Sequence, residues 1–485
     1  MFEFVTVNNP HETRDQKQQK RIRQHAIRNG IQNKRREDAK RNENFVAVGI
    51  DSWTGKLRSV QPRDGIAIAK PVSGGLLDPF DSLPGDGERL RALMTHKSAR
   101  SAGEPVFCVE EAGKIFFDGM DDVFRGALSD PALFHALSLA LAFAANANIP
   151  NVECLTQRGA TLYNLRQRMS NPLLVPSVST LTAMLLIIGY EYRVDGSNAS
   201  SIATHIGAVK RVLELTEASN VKVSDAIRRA LFWQDLYSCL FVGTTRLFSH
   251  RDYEQFNFER LPSSTPGYII PPGFERIMDG FPDAYLEVVL ELNALCTLVD
   301  LRCTPGGLPI IEYPIDNFQY CIESRLVDLL SQNKASGAED FILQACIFAC
   351  FLVTYKLSTG IWEGCFIPEY CAAQIMSLLD KAKGDIRLEK GGFKKVLLWL
   401  LFVSGALAKR SRVRLRAVKM IRDGCRDLLD GMHDDWDSLS GICRTFIWSS
   451  HSMERKSWRF WQEVHSPWQG IGRLVEEQPI AMHAA

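Results

Sequence analysis

No two of the twelve cysteines in this 485-residue chain stand in C-x-x-C spacing. A binuclear zinc cluster needs closely paired thiolates, because short spacing lets two sulfurs reach one ion without unfolding the chain. The nearest pairs, Cys346/Cys350, Cys365/Cys371 and Cys296/Cys303, are too far apart for that. Cys346 and Cys350 stand one turn apart in an apolar stretch, where free cysteine packs as a small hydrophobe. The chain also has no apolar run long enough to span a bilayer. "VLLWLLFVSGALA" (396–408) and "FILQACIFACFLVTY" (341–355, interrupted by Gln344) fall short of the roughly 18–20 residues required. Both read as helices buried inside a helical protein. The opening "MFEFVTVNNPHETR" has no basic n-region followed by an apolar h-region. Reduced thiols and a cytosolic or nuclear compartment are therefore expected, and the acceptor triplet Asn198-Ala199-Ser200 carries no meaning without secretion.

Familiar catalytic signatures are missing as well. There is no G-x-S-x-G, no H-E-x-x-H and no Rossmann glycine pattern. "FVAVGIDSWTGKL" superficially suggests a phosphate loop, but five residues rather than four separate Gly49 from Gly55. Leu57 also stands where a magnesium-binding hydroxyl belongs, and no helix N-terminus follows to receive the phosphate. His205 lies beside an apolar stripe and reads as a half-buried structural histidine. Asp434 and Asp435 read as solvated loop charges. The sequence assigns no catalytic residue, no cofactor and no metal.

Helical periodicity dominates from about Glu88. In "SIATHIGAVKRVLEL" the apolar residues Ile202, Ile206, Val209 and Leu213 draw a stripe along one helix face. Comparable stretches begin near Pro131, Ser179, Asp225, Asp283, Phe318, Asp340, Phe393 and Asp437. The expected fold is all-α, an array of ten or more helices without a clear repeat. Residues 1–43 form a basic arm, opened by the short strand-like "FEFVTV". Residues 44–87, rich in Gly, Pro, Asp and Ser, form an irregular linker. The helical domain covers 88–485.

The formal net charge is only +1, but it is unevenly placed. Residues 14–41 hold eleven Lys/Arg against three Asp/Glu, a local net of +8, which leaves the rest of the chain at −7. Such concentration suggests an anionic partner or a receptor that reads basic residues. Lys20-Arg21, a twelve-residue spacer and Lys34-Arg35-Arg36 match the layout of a bipartite nuclear import signal. Two cationic clusters joined by an indifferent spacer can reach separate acidic pockets on an import receptor. A solvated basic helix is the bland alternative. A leucine-zipper basic region fails: Asn33 and Arg41 have the right separation, but Arg36 and Glu37 replace the small residues between them, and Gly49 and Gly55 interrupt any zipper. Phosphate contact by this arm alone would be weak and non-specific.

Several segments in order resemble the fungal-specific transcription factor domain family, the helical regulatory region normally found after a binuclear zinc cluster. They are "FEFVTVNNPHETRDQKQQKRIRQHAIRNGIQNKRR", "DPALFHALSLALAFAANA" (130–147), "TLTAMLLIIGYEYRVDGSNASSIATHIGAVKRVLEL" (180–215) with His205 and Gly207, and "RRALFWQDLYSCLFVGTTRLF" (228–248) with Trp233 and Asp235. "VLLWLLFVSGALAKRSRVR" (396–414) with Trp399 and "LSGICRTFIWSSHSMERKSWRFWQEV" (439–464) with Trp448 and Trp461 close the series. The resemblance implies a nuclear, transcription-related protein. The missing six-cysteine cluster implies that it works through partners, namely an import receptor and a DNA-binding regulator, or through a small effector. The alternatives are a cytosolic interaction scaffold and, with less to support it, an enzyme on a helical array. Trp233 is expected to fill the core and Asp235 to cap or bridge neighbouring helices.

Overall fold

Helices dominate the computed structural model, which describes residues 83–99, 102–103, 106, 123–171, 174–194, 199–248, 260–304, 315–357, 367–389, 391–408, 412–425 and 435–466. All of these lie in the unit Gly75–Ala485. The basic arm, the linker and the phosphate-loop candidate of the sequence reading fall outside the described residues. In chain order the helices are α1 (Gly87–Met94), α2 (Pro131–Ala145), α3 (Val152–Met169), α4 (Val178–Val194), α5 (Ala199–Ala218), α6 (Asp225–Val242) and the short α7 (Pro272–Glu275). Then follow α8 (Asp283–Arg302), α9 (Ile315–Ala335), α10 (Phe341–Leu357), α11 (Ile367–Lys381), α12 (Gly391–Leu407), α13 (Arg412–Gly424), α14 (Trp436–Cys443) and α15 (Ser450–His465). The described residues contain no strand, and the fold is all-α.

Side chains just ahead of the helices set their starts. Asp86 accepts from the Arg89 N–H at 2.9 Å, and Asp130 accepts from Leu133 N–H at 3.0 Å, with Pro131 in the first turn. Asn151 accepts from Cys154 N–H at 2.8 Å. Each such cap contributes about 1 kcal/mol and satisfies an N–H that has no partner within the helix. Asp435, expected to be a plain solvated charge, caps α14 by accepting from the Asp437 and Ser438 N–H groups. α3 and α13 do not stand out in the apolar pattern because each buries only a narrow stripe, Cys154, Thr161 and Leu165 in one and Ala417, Val418 and Ile421 in the other.

Neighbours in sequence are mostly neighbours in space. α2 packs on α3 and α4; α4, α5 and α6 form the next group; and α6 reaches across to α9. From α8 onward each helix packs on its successor as far as α13, and α12 also meets α10, α14 and α15. α10 and the middle of α12 are apolar on all sides and accordingly central, with Ile347, Phe351, Trp399 and Phe402 fully buried. Phe274 on α7 stands edge-on to Tyr285, Trp399 and Phe446, at ring centroid distances of 6.1, 5.6 and 5.2 Å. Removing one such ring costs about 3–5 kcal/mol. The described cysteines are all free, and only Cys303 among them is exposed. Burial holds the thiols of Cys296 and Cys346 well above their ordinary range and pushes Cys350 up to about 12. No described helix is long and apolar enough to cross a membrane.

Two carboxylates fix the outer helices. Asp300, near the end of α8, accepts from the Ser449 hydroxyl at 2.6 Å and from the Ser450 and His451 N–H groups at 2.7 and 3.0 Å, which anchors the start of α15. At the other end Glu463 of α15 receives the Arg414 guanidinium of α13. Gly405 lets α12 and α15 approach closely, because a Cβ there would collide with the Phe460 ring. Gly207 in α5 faces open space. Gly405→Ala should therefore destabilise the fold by about 1–3 kcal/mol. Gly207→Ala should stabilise it by about 0.5–1 kcal/mol, the usual gain for removing a mid-helix glycine. Paired urea unfolding curves check both signs.

Candidate functional site

α6 is buried on every side, and its three faces do different work. Arg229, Trp233 and Tyr237, one turn apart, point to α9 and α10. Trp233 stacks on Tyr237 at 5.5 Å and stands edge-on to Tyr320 of α9 at 4.5 Å. The Arg229 guanidinium lies 4.9 Å over the same Tyr320 ring, and Tyr237 meets Phe351 of α10 at 6.5 Å. Phe241 packs on Tyr370 of α11, whose hydroxyl donates to the Phe241 carbonyl at 3.3 Å. α6 therefore joins the first group of helices to the second.

Asp235 faces the segment that follows α6. The helix ends on Gly243, in the left-handed region with φ 76°, and a side chain there would run into Lys334 of α9. The chain then turns back so that Leu247 and Phe248 both donate their N–H to Asp235 Oδ2 at 2.9 Å. Cys239 Sγ lies 3.9 Å from Oδ1. The same turn is clamped from α9: Arg246 makes a two-pronged ion pair with Asp328 at 2.8 and 2.7 Å, and the Ser331 hydroxyl donates to the Thr244 carbonyl at 2.7 Å. Burial pushes Asp235 up to about 6, against the two backbone donors and Arg246.

A second carboxyl sits deeper in α9. Glu323 is fully buried, and burial pushes it up to about 7, opposed by the Gln319 amide, which donates to Oε1 at 2.9 Å, and by Thr354 of α10. On the face of α6 beyond Trp233, neither amide atom of the fully buried Gln234 has a hydrogen-bond partner among the described residues. An unpaired interior amide costs about 1–3 kcal/mol for each group left unsatisfied. The interior thus carries two acids of displaced pKa, Asp235 at the turn between α6 and α9 and Glu323 between α9 and α10, and one amide without a partner among the described residues, all closed off from solvent. Nearby, Glu291 of α8 is buried and paired with Arg260 at 2.7 Å and Arg325 at 2.8 Å, so its charge is compensated.

The other residues singled out in the sequence are scattered. His205 on α5 is half-buried, and burial pulls its pKa down against the pull of Glu191, which pairs with Arg158 at 2.6 Å. Trp399 donates its indole N–H to the Ile447 carbonyl at 3.0 Å, and Trp448 donates to Glu454 at 3.2 Å. Trp461 is half-buried beside Trp436, at 6.0 Å. Lys20, Arg21, Lys34, Arg35 and Arg36 lie outside the described residues. No three His, Cys, Asp or Glu side chains among the described residues are grouped to hold a metal ion. Sequence reading missed Glu323, Gln319 and Gln234, although one signal was there. Glu323 stands where the apolar stripe Val327 and Leu330 predicts another aliphatic side chain.

Compared with known proteins, the chain matches no family model, no curated protein and no solved structure.

The sign of the pH dependence follows from the raised acids. A carboxyl whose folded pKa exceeds its unfolded value stabilises the fold below the unfolded pKa and loses that contribution as pH rises through the folded one. For Glu323 the window runs from about 4.5 to about 7, and for Asp235 from about 4 to about 6. Stability should fall between about pH 4 and 7, and Glu323→Gln should flatten that fall, removing on the order of 3 kcal/mol of pH-dependent loss. Asp235→Ala, which strands the Leu247 and Phe248 N–H groups, should cost about 2–5 kcal/mol at pH 7, above the Asp235 window. Urea midpoints taken across this pH range distinguish the two outcomes.

Proposed function

We propose that this is a nuclear regulatory protein of the fungal transcription-factor type, non-catalytic, acting through protein partners or a small effector. The observation that carries this reading is the segregation of charge, +8 within residues 14–41 against −7 for the rest of the chain. The two clusters Lys20-Arg21 and Lys34-Arg35-Arg36 act as the address read by an import receptor, with weak phosphate contact as a by-product. Sequence specificity on DNA is supplied by a DNA-binding partner, since these 485 residues hold no six-cysteine cluster.

The interior of the helical body supports a regulatory role. Both displaced acids are closed to solvent, so neither reaches a dissolved substrate in this arrangement. The position of Asp235 at the junction of two helix groups suits a body with two packings of similar energy, in which protonation, an effector or a partner chooses between them.

Replacing Lys20, Arg21, Lys34, Arg35 and Arg36 with alanine should shift a fluorescently tagged chain from nucleus to cytoplasm. Persistent nuclear accumulation of the variant would refute the import reading. An intact chain that stays in the cytoplasm would favour the scaffold reading instead.

A further inference from the structure

α15 turns one face inward through Met453, Ser457, Phe460 and Val464, and the opposite arc meets solvent. That outer arc carries His451, Arg455, Trp458, Arg459, Gln462 and His465 and no acidic residue. Trp458 is 41% exposed, and it is the single apolar side chain on this arc. Arg455 and Arg459 stand three residues before it and one after, both exposed and without an ion pair among the described residues. The acids of α15 are used elsewhere: Glu454 takes Arg444 and two indole N–H groups, and Glu463 takes Arg414. Further exposed positive charge, Arg412 and Lys419, lies on the packed neighbour α13.

An exposed indole with Arg455 beside it one turn back, and Arg459 next to Arg455 on the same side, offers a stacking plane with phosphate contacts along one edge. We infer that the outer face of α15 binds single-stranded RNA without strong sequence preference. Bases present a flat π-surface to Trp458, while the phosphates between them neutralise Arg455 and Arg459. Duplex DNA would leave the indole without a partner, because stacked bases expose only their edges. An acidic amphipathic peptide would find a single apolar anchor on this arc. Gln462 and His451, each able to donate and accept, give the ribose 2′-hydroxyl a partner that deoxyribose cannot use. Asp300 holds the first turn of α15 in place, so the face is preformed.

The proposed site uses no residue of the basic arm, and the test must keep the two apart. Fluorescence anisotropy of a labelled oligouridylate is measured with the full chain in which the five arm residues Lys20, Arg21, Lys34, Arg35 and Arg36 are already alanine. Binding is expected to persist in that background. Trp458→Ala should weaken it about tenfold, and Trp458→Phe should recover most of the loss. Arg455→Gln with Arg459→Gln should lower the slope of log affinity against log salt by about 1.4, the value for two lost single-strand phosphate contacts. These side chains are exposed, so circular dichroism should show the variants folded. Loss of all binding with the arm residues neutralised overturns the proposal, and so does an unchanged affinity in Trp458→Ala. Equal binding of the matching deoxyoligonucleotide, equal competition by duplex DNA, or displacement by polyglutamate at equal charge would each overturn it too, the last assigning the face to an acidic peptide.

Discussion

Where α6 ends, the chain must leave the interior of a helical array, and every polar group on the way out needs a partner. The carboxylate of Asp235 supplies two of those partners, receiving Leu247 and Phe248 N–H at 2.9 Å. This fold-back sets Thr244 and Arg246 against Ser331 and Asp328 of α9. It also keeps Gly243 under Lys334. The two helix groups meet through this turn and through the Trp233–Tyr320 edge contact just above it. Remove the carboxylate and the turn loses its reason to fold back, and the groups lose much of what aligns them.

The interior around this turn also holds unfavourable placements. A carboxyl inside protein is held against its hydration preference unless donors surround it, and Glu323 has few. Gln234 has none among the described residues. Sequences that fold reliably avoid these arrangements, so each marks a place where stability is given up for something else. By contrast the ionic contacts farther out, Arg158 with Glu191 or Glu463 with Arg414, are matched pairs that fix geometry without such a penalty.

Much of the architecture was legible in the residues. The stripe of Ile202, Ile206 and Val209 lies on the buried face of α5, and the run around Cys346 and Cys350 forms the fully buried α10. The stretch expected from Pro131 is α2, which Asp130 caps, whereas α3, capped by Asn151, did not stand out. Other features depend on tertiary contacts that no window of sequence contains. Asp300 reaches α15 across some 150 positions, and Arg246 finds Asp328 82 positions away. Trp458 reads like any other indole in a helix until packing shows that Phe460 turns inward and Trp458 outward. The arm, prominent in the sequence for its charge, lies outside the described residues.

The thiols of this body divide sharply. Cys303 faces solvent, whereas Cys154, Cys296, Cys346, Cys350 and Cys371 are sealed among aliphatic and aromatic side chains. An oxidant or alkylating reagent needs both access and the thiolate, and inside the array it finds neither. The closed molecule is therefore chemically quiet, with one reactive handle among its described cysteines. Any event that parts the helices exposes several handles at once, and the number of modified sulfurs becomes a count of how many layers have opened.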